Sequence, residues 1–470
     1  MLVLVLESST NAAKALLYHS ENGILEDVSF PYSSDISKAG KQDTEGIFLA
    51  TLEAGRSIAA GKEIAAITVS GVWHSLAICD QNMIPTSPTY TWTFTGASDI
   101  CRKVRSDKKQ TNHFYSLTGC MPNITYQPYT LRYLVENGMY LEDKLLSSQA
   151  GYSFYRLTGE RVETACIISG MGLLNTHSLT FDKDILDFAG VKESQFGRLG
   201  TYKTTYPLNR ECADILGIAP GIPVVAPHSD GALNQVGNGA FCSDTMTLSV
   251  GTSAAVRVVA DRPVLSDPPG TWCYVGVEGW ISGAATAGAC NCIDWFKKTV
   301  LNDKWSFDHL EKTMFDDDKT PVFLPFLFGE RCPGWLDDRR GGFEDLDADT
   351  TVPQMFKAIC EGVLFNIYQC YDILIRYNGK PNRIIMSGGI INSAAWSQLA
   401  ADVFACDITL SDTAQASMLG GAALALHATG KLSSLSDFPD YSGDIISPRK
   451  GSIEHYKEKY EKYLEYYNRH

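Results

Sequence analysis

The chain has 470 residues, of which 44% are hydrophobic and 20% are charged, ordinary values for a globular protein with a full core. At roughly 150 residues per domain, this length suggests about three domains or two large ones. Forty basic residues against 54 acidic ones give a net charge of −14, which argues against nucleic acid or an anionic membrane as the main partner. The 13 cysteines include no Cys-x-x-Cys pair, so a zinc ribbon or a thioredoxin-like site has no support.

The N-terminal sequence MLVLVLESSTNAAK does not read as a targeting signal. It lacks a basic segment and offers only five apolar residues after Met1 before Glu7 interrupts them. No run in the chain approaches the ~20 apolar residues that a membrane span needs. We therefore expect a cytoplasmic protein without a membrane partner.

The first half of the chain opens with a predicted strand, turn and strand. The apolar residues 2–6 end in a polar turn that starts at Glu7, and further strands are predicted at 15–18 and 25–30. Residues 43–60 have helical spacing with Asp43 and Thr44 at the start. Next come a strand at 63–70, a mainly helical region from 98 to 187, and a strand at 224–226.

The second half repeats the opening pattern. A strand at 246–250 leads into Gly251-Thr252-Ser253, and a second strand follows at 255–260. Helices are predicted at 287–300, 353–377, 394–404 and 415–428, and a strand at 383–386 ends in Ser387-Gly388-Gly389. Residues 9–13 (STNAA) and 251–255 (GTSAA) occupy equivalent places, each between two strands. We therefore expect two related α/β lobes that meet near residues 238–244, with both turns facing one central cleft.

Two small-residue turns have the chemistry of phosphate sites. Successive backbone N–H groups without bulky side chains form a nest for anions, as Gly251-Thr252-Ser253 can. Ser387-Gly388-Gly389 is followed by Asn392, Ser393 and a predicted helix, and either of these two residues can cap it. No Walker A motif occurs and no G-x-G-x-x-G follows a strand, which disfavours a P-loop or Rossmann enzyme.

Many short motifs, in order from Leu4 to about His427, resemble the FGGY family of carbohydrate kinases in the actin-like ATPase superfamily. The segments that carry the resemblance are SGVWHS (70–75), PHSDG (227–231), GNGA (237–240), LSVGTS (248–253), LPF (324–326), GER (329–331), GF (342–343), SGG (387–389), WSQLAADV (396–403) and LGGAA (419–423). Within the family, GTSAAVRVVADRP (251–263), Tyr274 and Trp73-His74-Ser75 are most similar to gluconokinases.

The resemblance implies an α/β fold with two actin-like, ribonuclease H-like lobes around a central catalytic cleft. Residues 1–240 would form a sugar-binding domain that supplies part of the phosphate site, and residues 241–470 a nucleotide-binding domain. The implied activity is phosphorylation of a sugar or sugar-acid hydroxyl by ATP with Mg²⁺, with gluconate as the leading acceptor. A kinase for xylulose or another ketose or polyol is the alternative within the family. A non-catalytic sugar or nucleotide sensor is the alternative from another class, and a homodimer is an open possibility.

The resemblance also carries site residues. Asp230 is the expected general base, because a carboxylate in reach can take the proton of the attacking hydroxyl. Glu7 and Asp230 would face the metal. Trp73, His74 and Trp92, together with Asp230, would bind the sugar. The expected nucleotide-binding residues are Thr10, Asn11, Lys14, Gly251, Thr252, Ser253, Gly388, Gly389 and Asn392.

The sequence departs from the family pattern at several of these places. Glu7 stands for an aspartate, Ser9 for a glycine whose replacement can crowd the γ-phosphate, and Asn11 for a threonine or serine. The family motif W-x-D-x-R keeps Trp92 but has Phe94 for the acid and Gly96 for the arginine. The paired loss removes polar contacts from the substrate side. Gln415 stands where the family often has glutamate.

Four further features stay open at this stage. His228 either orients Asp230 or faces solvent, and Trp335 is a third tryptophan that can cover a sugar face. Residues 337–340 (DDRR) are expected in a solvated loop, and residues 457–462 on a charged terminal helix. We assign no chemistry to these last two segments.

Overall fold

Two mixed sheets, one from each half of the chain, frame the molecule in the computed structural model, which describes residues 1–316 and 319–469. The strands of the first half are β1 (Leu2–Ser8), β2 (Ala12–His19), β3 (Gly23–Pro31), β4 (Ser37–Lys38), β5 (Lys41–Gln42), β6 (Ile64–Gly71), β7 (Ser75–Cys79), β8 (Thr89–Thr91), β9 (Leu145–Ser147), β10 (Val162–Thr164), β11 (Leu174–Asn175), β12 (Thr180–Phe181), β13 (Arg198–Gly200), β14 (Thr205–Pro207) and β15 (Pro223–Ser229). Those of the second half are β16 (Thr245–Val250), β17 (Ala254–Ala260), β18 (Trp272–Val275), β19 (Trp280–Thr286), β20 (Val322–Leu324), β21 (Gly342–Glu344), β22 (Arg383–Ser387), β23 (Ile408–Ser411) and β24 (Ser442–Ile446).

The helices flank these sheets. They are α1 (Thr44–Ala59), α2 (Ser98–Ser106), α3 (Lys108–Thr118), α4 (Gln127–Glu136), α5 (Gln149–Thr158), α6 (Ala165–Met171), α7 (Lys183–Ala189), α8 (Arg210–Leu216), α9 (Asp230–Gly237), α10 (Cys290–Trp295), α11 (Phe307–Lys312), α12 (Val352–Asn378), α13 (Ala394–Phe404), α14 (Ala416–Ala428) and α15 (Ser452–Arg469).

The two main sheets share one topology. Their strand orders are β14-β15-β6-β1-β2-β3 and β18-β19-β17-β16-β22-β23-β24. In each, a three-stranded antiparallel meander (β1-β2-β3 or β16-β17-β19) is extended on the side of its first strand by two parallel strands (β6 and β15, or β22 and β23). The predicted α/β fold of two related lobes is confirmed, and the weak echo between residues 9–13 and 251–255 marks equivalent hairpins.

Strand β1 shows why the sheets are buried on both faces. Leu4 and Leu6 pack in one hydrophobic cluster with α1, whereas Val3 and Val5 pack in another with α14. Successive side chains of a strand point to opposite faces, so a continuous apolar run is what a strand covered on both sides requires. This burial fixes the end of β1, and with it the position of Glu7.

Most predicted elements are present close to their predicted bounds. Helix α1 starts at Thr44 because the side chain of Asp43 accepts a hydrogen bond from the Glu45 N–H, and α13 spans the predicted residues 394–404. The helix predicted at 287–300 starts later, at Cys290, and ends in a π-helical segment over 296–300. Its start is displaced because Gly288 packs against the Pro325 carbonyl, where a Cβ would lie 2.1 Å from the oxygen.

Helix α14 links the two lobes. It belongs to the second half of the chain but packs on α9, β1 and β6 of the first. Glycines allow this close crossing, since a Cβ at Gly237 would lie 1.9 Å from the Ala416 oxygen and one at Gly420 would lie 2.0 Å from the Leu233 oxygen. The division at residue 240 stays a prediction, and α14 crosses it in space.

One helix of the described residues, Val352–Asn378, is long and apolar enough to cross a membrane by length and composition, although the sequence had suggested no such run. Its most apolar window is 72% buried inside the molecule. It packs on β17, β19 and β20 beneath the second sheet. This burial is what the central helix of a protein core requires.

Candidate active site

The carboxyl ends of β1, β6 and β15 open onto a cavity of about 410 Å³ between the lobes. The turns after β1 and after β16 both line it, as the repeated pattern predicts. Of the predicted site residues, the cavity brings together Glu7, Thr10, Asn11, Lys14, Trp73, His74, Trp92, Asp230 and Ser253. The remaining ones, which do not line it, are Gly251, Thr252, Gly388, Gly389 and Asn392.

Asp230 is the first residue of α9 and faces the cavity. Ser229 rather than Asp230 caps the helix, because the Ser229 hydroxyl accepts the Ala232 N–H at 3.1 Å. Among the described residues, the Asp230 carboxylate accepts a single hydrogen bond, from the N–H of Gly231 at 2.7 Å. Burial, followed by the nearby negative charge of Glu7, raises the pKa of Asp230 from 3.8 to about 6. A base with this pKa is largely ionised at pH 7 and still able to accept a proton.

Glu7 lies at the end of β1 and is held by two donors. Its Oε1 accepts the Lys14 ammonium at 3.1 Å, across the β1–β2 pair, and its Oε2 accepts the Ser70 hydroxyl at 3.3 Å. The described residues contain no group of three acidic, histidine or cysteine side chains that could cage a metal. Two neighbouring carboxylates fit Mg²⁺ nonetheless, since this ion usually keeps several waters and takes further ligands from phosphate.

The turn after β1 is closed by Ser9. Its hydroxyl donates to the Ala12 carbonyl at 2.8 Å and accepts the Ala12 N–H at 3.1 Å. The hydroxyl of Thr10 accepts the Trp92 indole N–H at 3.2 Å, and the Thr10 carbonyl accepts the Gln42 amide at 2.9 Å. The serine that replaces the family glycine therefore uses its hydroxyl within the turn.

His74 presents an acceptor to the cavity. Its Nδ1 lies 2.5 Å from the Gly170 carbonyl oxygen, which can only accept, so Nδ1 carries the proton and Nε2 has the free lone pair. Burial, with the positive charge of Arg331 as the next cause, lowers the pKa of His74 to about 3. The neutral ring can therefore accept a hydrogen bond from a hydroxyl.

Trp73 forms a rigid part of the cavity wall. Its indole N–H donates to the Cys166 carbonyl at 2.7 Å, and its ring lies 4.8 Å from that of Tyr274. The ring fits between two glycines, because a Cβ at Gly170 would lie 2.1 Å from it and one at Gly231 would lie 2.5 Å from it. Trp73 is thus positioned by packing as well as by its hydrogen bond.

Two residues left open by the sequence are decided by the structure: His228 follows neither of its two alternatives, whereas Trp335 packs in the core, as aromatic side chains more often do. His228 is buried, and its Nδ1 lies 2.9 Å from the Ala226 carbonyl, so it neither contacts Asp230 nor faces solvent. Trp335 is 1% exposed and lies in the hydrophobic core, so it does not cover a sugar in the cavity. In both cases apolar packing on neighbouring elements takes the side chain away from the cleft.

The second sheet brings the two small-residue turns to one edge. Strands β16 and β22 run parallel, and the Ser249 and Ser387 hydroxyls at their ends lie 3.1 Å apart. The segments that follow hold Gly251, Thr252, Gly388, Gly389 and Asn392 outside the 410 Å³ cavity, whereas Ser253 lines it. Ser393, not Asn392, caps α13 by accepting the Trp396 N–H at 3.1 Å, which leaves the Asn392 side chain exposed.

Phe94 is part of the hydrophobic core, and the partly buried Gly96 lies against its ring. The Phe94 ring packs on Tyr90 at 4.9 Å and on Tyr133 at 5.6 Å, and neither Phe94 nor Gly96 lines the cavity. A Cβ on Gly96 would lie 2.4 Å from the Phe94 ring. The ring thus occupies the space that a side chain at position 96 would need.

Residues 337–340 form a loop in which Asp338 and Arg340 are exposed, as expected, whereas Asp337 and Arg339 are engaged in pairs with other parts of the molecule. Asp337 pairs with Arg105 at 2.5 Å and accepts the Asn123 amide at 3.0 Å. Arg339 is buried and pairs with the buried Glu330 at 2.9 Å. The partners of Asp337 are more than 200 residues away in the sequence, so the local charge pattern could not indicate them. Residues 457–462 do lie on the terminal helix α15.

Sequence reasoning also missed two arginines that line the cavity, Arg257 and Arg331. Each has a buried Nε without a hydrogen-bond partner among the described residues. Arg331 stands over the Trp92 ring at 5.9 Å. Both belong to segments that carry the family resemblance, and the alternation of β17 places Arg257 on the same face as Ala255, next to the turn.

Comparisons with known proteins agree with this geometry. The sequence matches the N-terminal domain of the FGGY family of carbohydrate kinases over residues 2–237 and the C-terminal domain over residues 246–429. It is 28% identical to the gluconokinase of Bacillus subtilis, over 97% of this chain and 93% of that protein.

Solved structures are similar over the full chain. The gluconate kinase of Lactobacillus acidophilus has a TM-score of 0.93 and 26% identity, covering 100% of this chain and 98% of the other. The ligand-bound xylulose kinase of the same organism has a TM-score of 0.94 and 26% identity, covering 99% and 98%. With both family domains in place, the chain belongs to the FGGY family of carbohydrate kinases, phosphotransferases that act on an alcohol group of a sugar.

Proposed function

We propose that this chain transfers the γ-phosphoryl group of MgATP to a hydroxyl of gluconate, with Asp230 as the general base. The observation that carries the proposal is the carboxylate of Asp230, raised in pKa to about 6, in a cavity shared by the turns of both lobes. This arrangement supports transfer between a phosphate held by the turns and a hydroxyl held beside the base.

Asp230 takes the proton of the attacking hydroxyl as the new P–O bond forms. Its single backbone hydrogen bond leaves an oxygen for that contact. Thr10 and Ser253 approach the phosphates from opposite lobes, with Asn11 beside Thr10, while Lys14 adds positive charge next to Glu7. Bound Mg²⁺, held by Glu7 and Asp230 directly or through water, would neutralise charge on the phosphates. Positioning and electrostatics supply most of the catalysis in this chemistry.

The adenosine end of ATP lies along the edge of the second sheet in this proposal. Gly251, Thr252, Gly388, Gly389 and Asn392 follow strands that end at this edge. Gly388, Gly389 and Asn392 are exposed, so a nucleotide can approach the backbone there. ATP is much longer than the γ-phosphoryl group that it transfers. Its adenosine end therefore needs a binding site outside the cavity.

Gluconate is the proposed acceptor because the relatives named for gluconate match nearly the whole chain. Trp73, His74 and Trp92 would contact it, with the neutral His74 accepting a hydroxyl. Xylulose is the second candidate, since a xylulose kinase is equally similar in fold and in identity. A sensor without catalysis would not need an acceptor-side carboxylate whose pKa is raised toward neutrality, so Asp230 favours the enzyme.

A coupled ADP-release assay over sugars, polyols and aldonic acids tests the proposal. We expect the highest kcat/KM with gluconate, a requirement for Mg²⁺, and loss of turnover in Asp230→Asn. Faster turnover of xylulose would overturn the choice of acceptor. Binding of ATP and sugar, seen as a higher Tm, with no ADP release for any acceptor would favour the sensor. The cytoplasmic location and the homodimer stay predictions.

A further inference from the structure

We propose that Arg257 and Arg331 bind the carboxylate of an acidic acceptor and so select sugar acids over neutral sugars. The inference rests on the proposed function and deepens it, because it assigns the acceptor's charged end to two named side chains. The sequence resemblance assigned neither residue to the substrate. Both line the cavity that holds Asp230 and His74.

The first argument is that each guanidinium group has a buried N–H donor to which the described residues offer no acceptor. The Nε atoms of Arg257 and Arg331 are buried and have no hydrogen-bond partner within the described part of the chain. The ion pairs of the described residues include neither arginine, whereas Lys14 at the other end of the cavity is paired with Glu7. The Asp230 carboxylate is a nearby negative charge for Arg257, but the ion pairs of the described residues do not include these two, so an anionic ligand that hydrogen-bonds directly to the arginines is the natural partner for this wall.

The second argument is position. Arg257 lies on β17 and lowers the pKa of Asp230, so its charge is close to the proposed base. Both arginines lower the pKa of His74, and Arg331 stands 5.9 Å above the Trp92 ring. The two guanidinium groups therefore flank the residues proposed to hold the sugar. The expected γ-phosphate contacts, Thr10 and Ser253, lie on the turns.

The third argument is the chemistry of the group. A guanidinium presents a planar fork of N–H donors that matches a carboxylate in a bidentate manner. A neutral ketose or polyol offers only hydroxyls, which cannot form an ion pair with either arginine. A sugar acid compensates them and leaves its hydroxyls for His74 and Asp230.

Arg331 is held in place by its own loop. The neighbouring Glu330 accepts Arg339 at 2.9 Å, the Gly334 N–H at 3.1 Å and the Tyr467 hydroxyl at 2.6 Å. The loop is tied to the first lobe through Asp337 and Arg105. Glu330 and Asp337 therefore act as positioning residues for an arginine that crosses into the acceptor site.

The test compares gluconate with D-glucitol, in which a hydroxymethyl group replaces the carboxylate. In Arg257→Gln and Arg331→Gln, we expect kcat/KM for gluconate to fall about 10- to 150-fold, the usual range for losing a hydrogen bond to a charged group. The loss for D-glucitol should be clearly smaller than the loss for gluconate, and the KM for ATP should change little. Arg102→Gln, on the exposed face of α2, is the control and should behave as wild type.

Two results would overturn the inference. An equal loss for gluconate and D-glucitol would make the arginines structural, and a raised KM for ATP would assign them to the phosphates. A rise in Tm on adding ATP shows that each variant is folded, and Arg257→Lys, which keeps the charge without the fork, should recover part of the gluconate affinity.

Calorimetric binding of gluconate without ATP separates this inference from the proposed function. If the wild type binds gluconate and does not phosphorylate it, the proposed function fails. The role of the arginines is then decided by whether Arg257→Gln and Arg331→Gln bind gluconate more weakly than the wild type. If the wild type phosphorylates gluconate and both glutamine variants bind it with unchanged affinity, only the assignment of the arginines fails.

Discussion

Replacing Asp230 by asparagine removes basicity with little change of shape. The amide oxygen can still accept the Gly231 N–H, which is the one hydrogen bond of the carboxylate. Because the pKa of Asp230 is raised from 3.8 to about 6, its ionised form destabilises the folded protein, by about 3 kcal/mol for a shift of this size. The protonated group is favoured by folding below pH 4, and that advantage is lost as the pH rises through 6. We therefore expect Asp230→Asn to be at least as stable as wild type at pH 7.

The turnover rate of Asp230→Asn should fall, although its stability should not. General-base assistance contributes about 10²–10⁴-fold, so kcat of Asp230→Asn should fall within that range, with a residual rate from positioning. The wild-type kcat/KM should fall about tenfold per pH unit below about pH 6, because the carboxylate must be ionised to accept a proton. In Asp230→Asn, the pH profile of kcat/KM should lack this decrease below pH 6, which we call the acidic limb.

Steady-state ADP release and thermal unfolding from pH 4 to 8 measure both effects on one sample. Glu7→Gln is the control, because that carboxylate faces the metal in our proposal, and it should raise the Mg²⁺ requirement rather than remove the acidic limb. Turnover of the true acceptor by Asp230→Asn at close to the wild-type rate would refute the assigned mechanism. An acidic limb that persists in the variant would assign the titration to another group.

Four further variants test the surrounding site. Gly389→Val should raise the Kd for ATP with little loss of Tm, because the nearest atom to a new Cβ there lies at 3.5 Å. Gly388→Ala should lower the Tm, because residue 388 has a φ of +93° and its Cβ would lie 2.5 Å from a carbonyl oxygen. His74→Ala should raise the KM for the acceptor about 2- to 15-fold, because one hydrogen bond to the acceptor is lost. An unchanged KM for every sugar tested would argue against a contact between His74 and the acceptor. Asp337→Asn should raise the gluconate KM by loosening the loop of Arg331, with the KM for ATP as the unaffected reference.

The sequence predicts the frame of the site because its signals there are local. An apolar run followed by a small polar turn occurs at residues 2–11 and again at 246–253, and both form the first hairpin of the same sheet plan. Glu7, Thr10 and Asp230 reach the cavity because each follows a buried strand at its carboxyl end. Burial of each strand in the sheet fixes the position of the polar residue at or after its carboxyl end.

The acceptor wall depends on contacts that the sequence does not reveal. Arg331 reaches the cavity on a loop tied to Arg105, more than 200 residues earlier in the chain. Likewise, Glu330 and Arg339 form a buried pair, although in the sequence these charged residues look like part of an ordinary surface cluster. Charge patterns predict solvation when partners are local and fail when the fold brings a distant partner to them.

Phe94 and Gly96 show how one substitution constrains another. The Phe94 ring is packed on Tyr90 and Tyr133, and its outer edge lies 2.4 Å from where a Cβ of residue 96 would stand. No side chain fits at position 96 while the ring is there. An acid at position 94 would in turn be buried without the family arginine to pair with it. With Phe94 and Gly96 at these two positions, Arg257 and Arg331 are the arginines of the described residues that line the cavity.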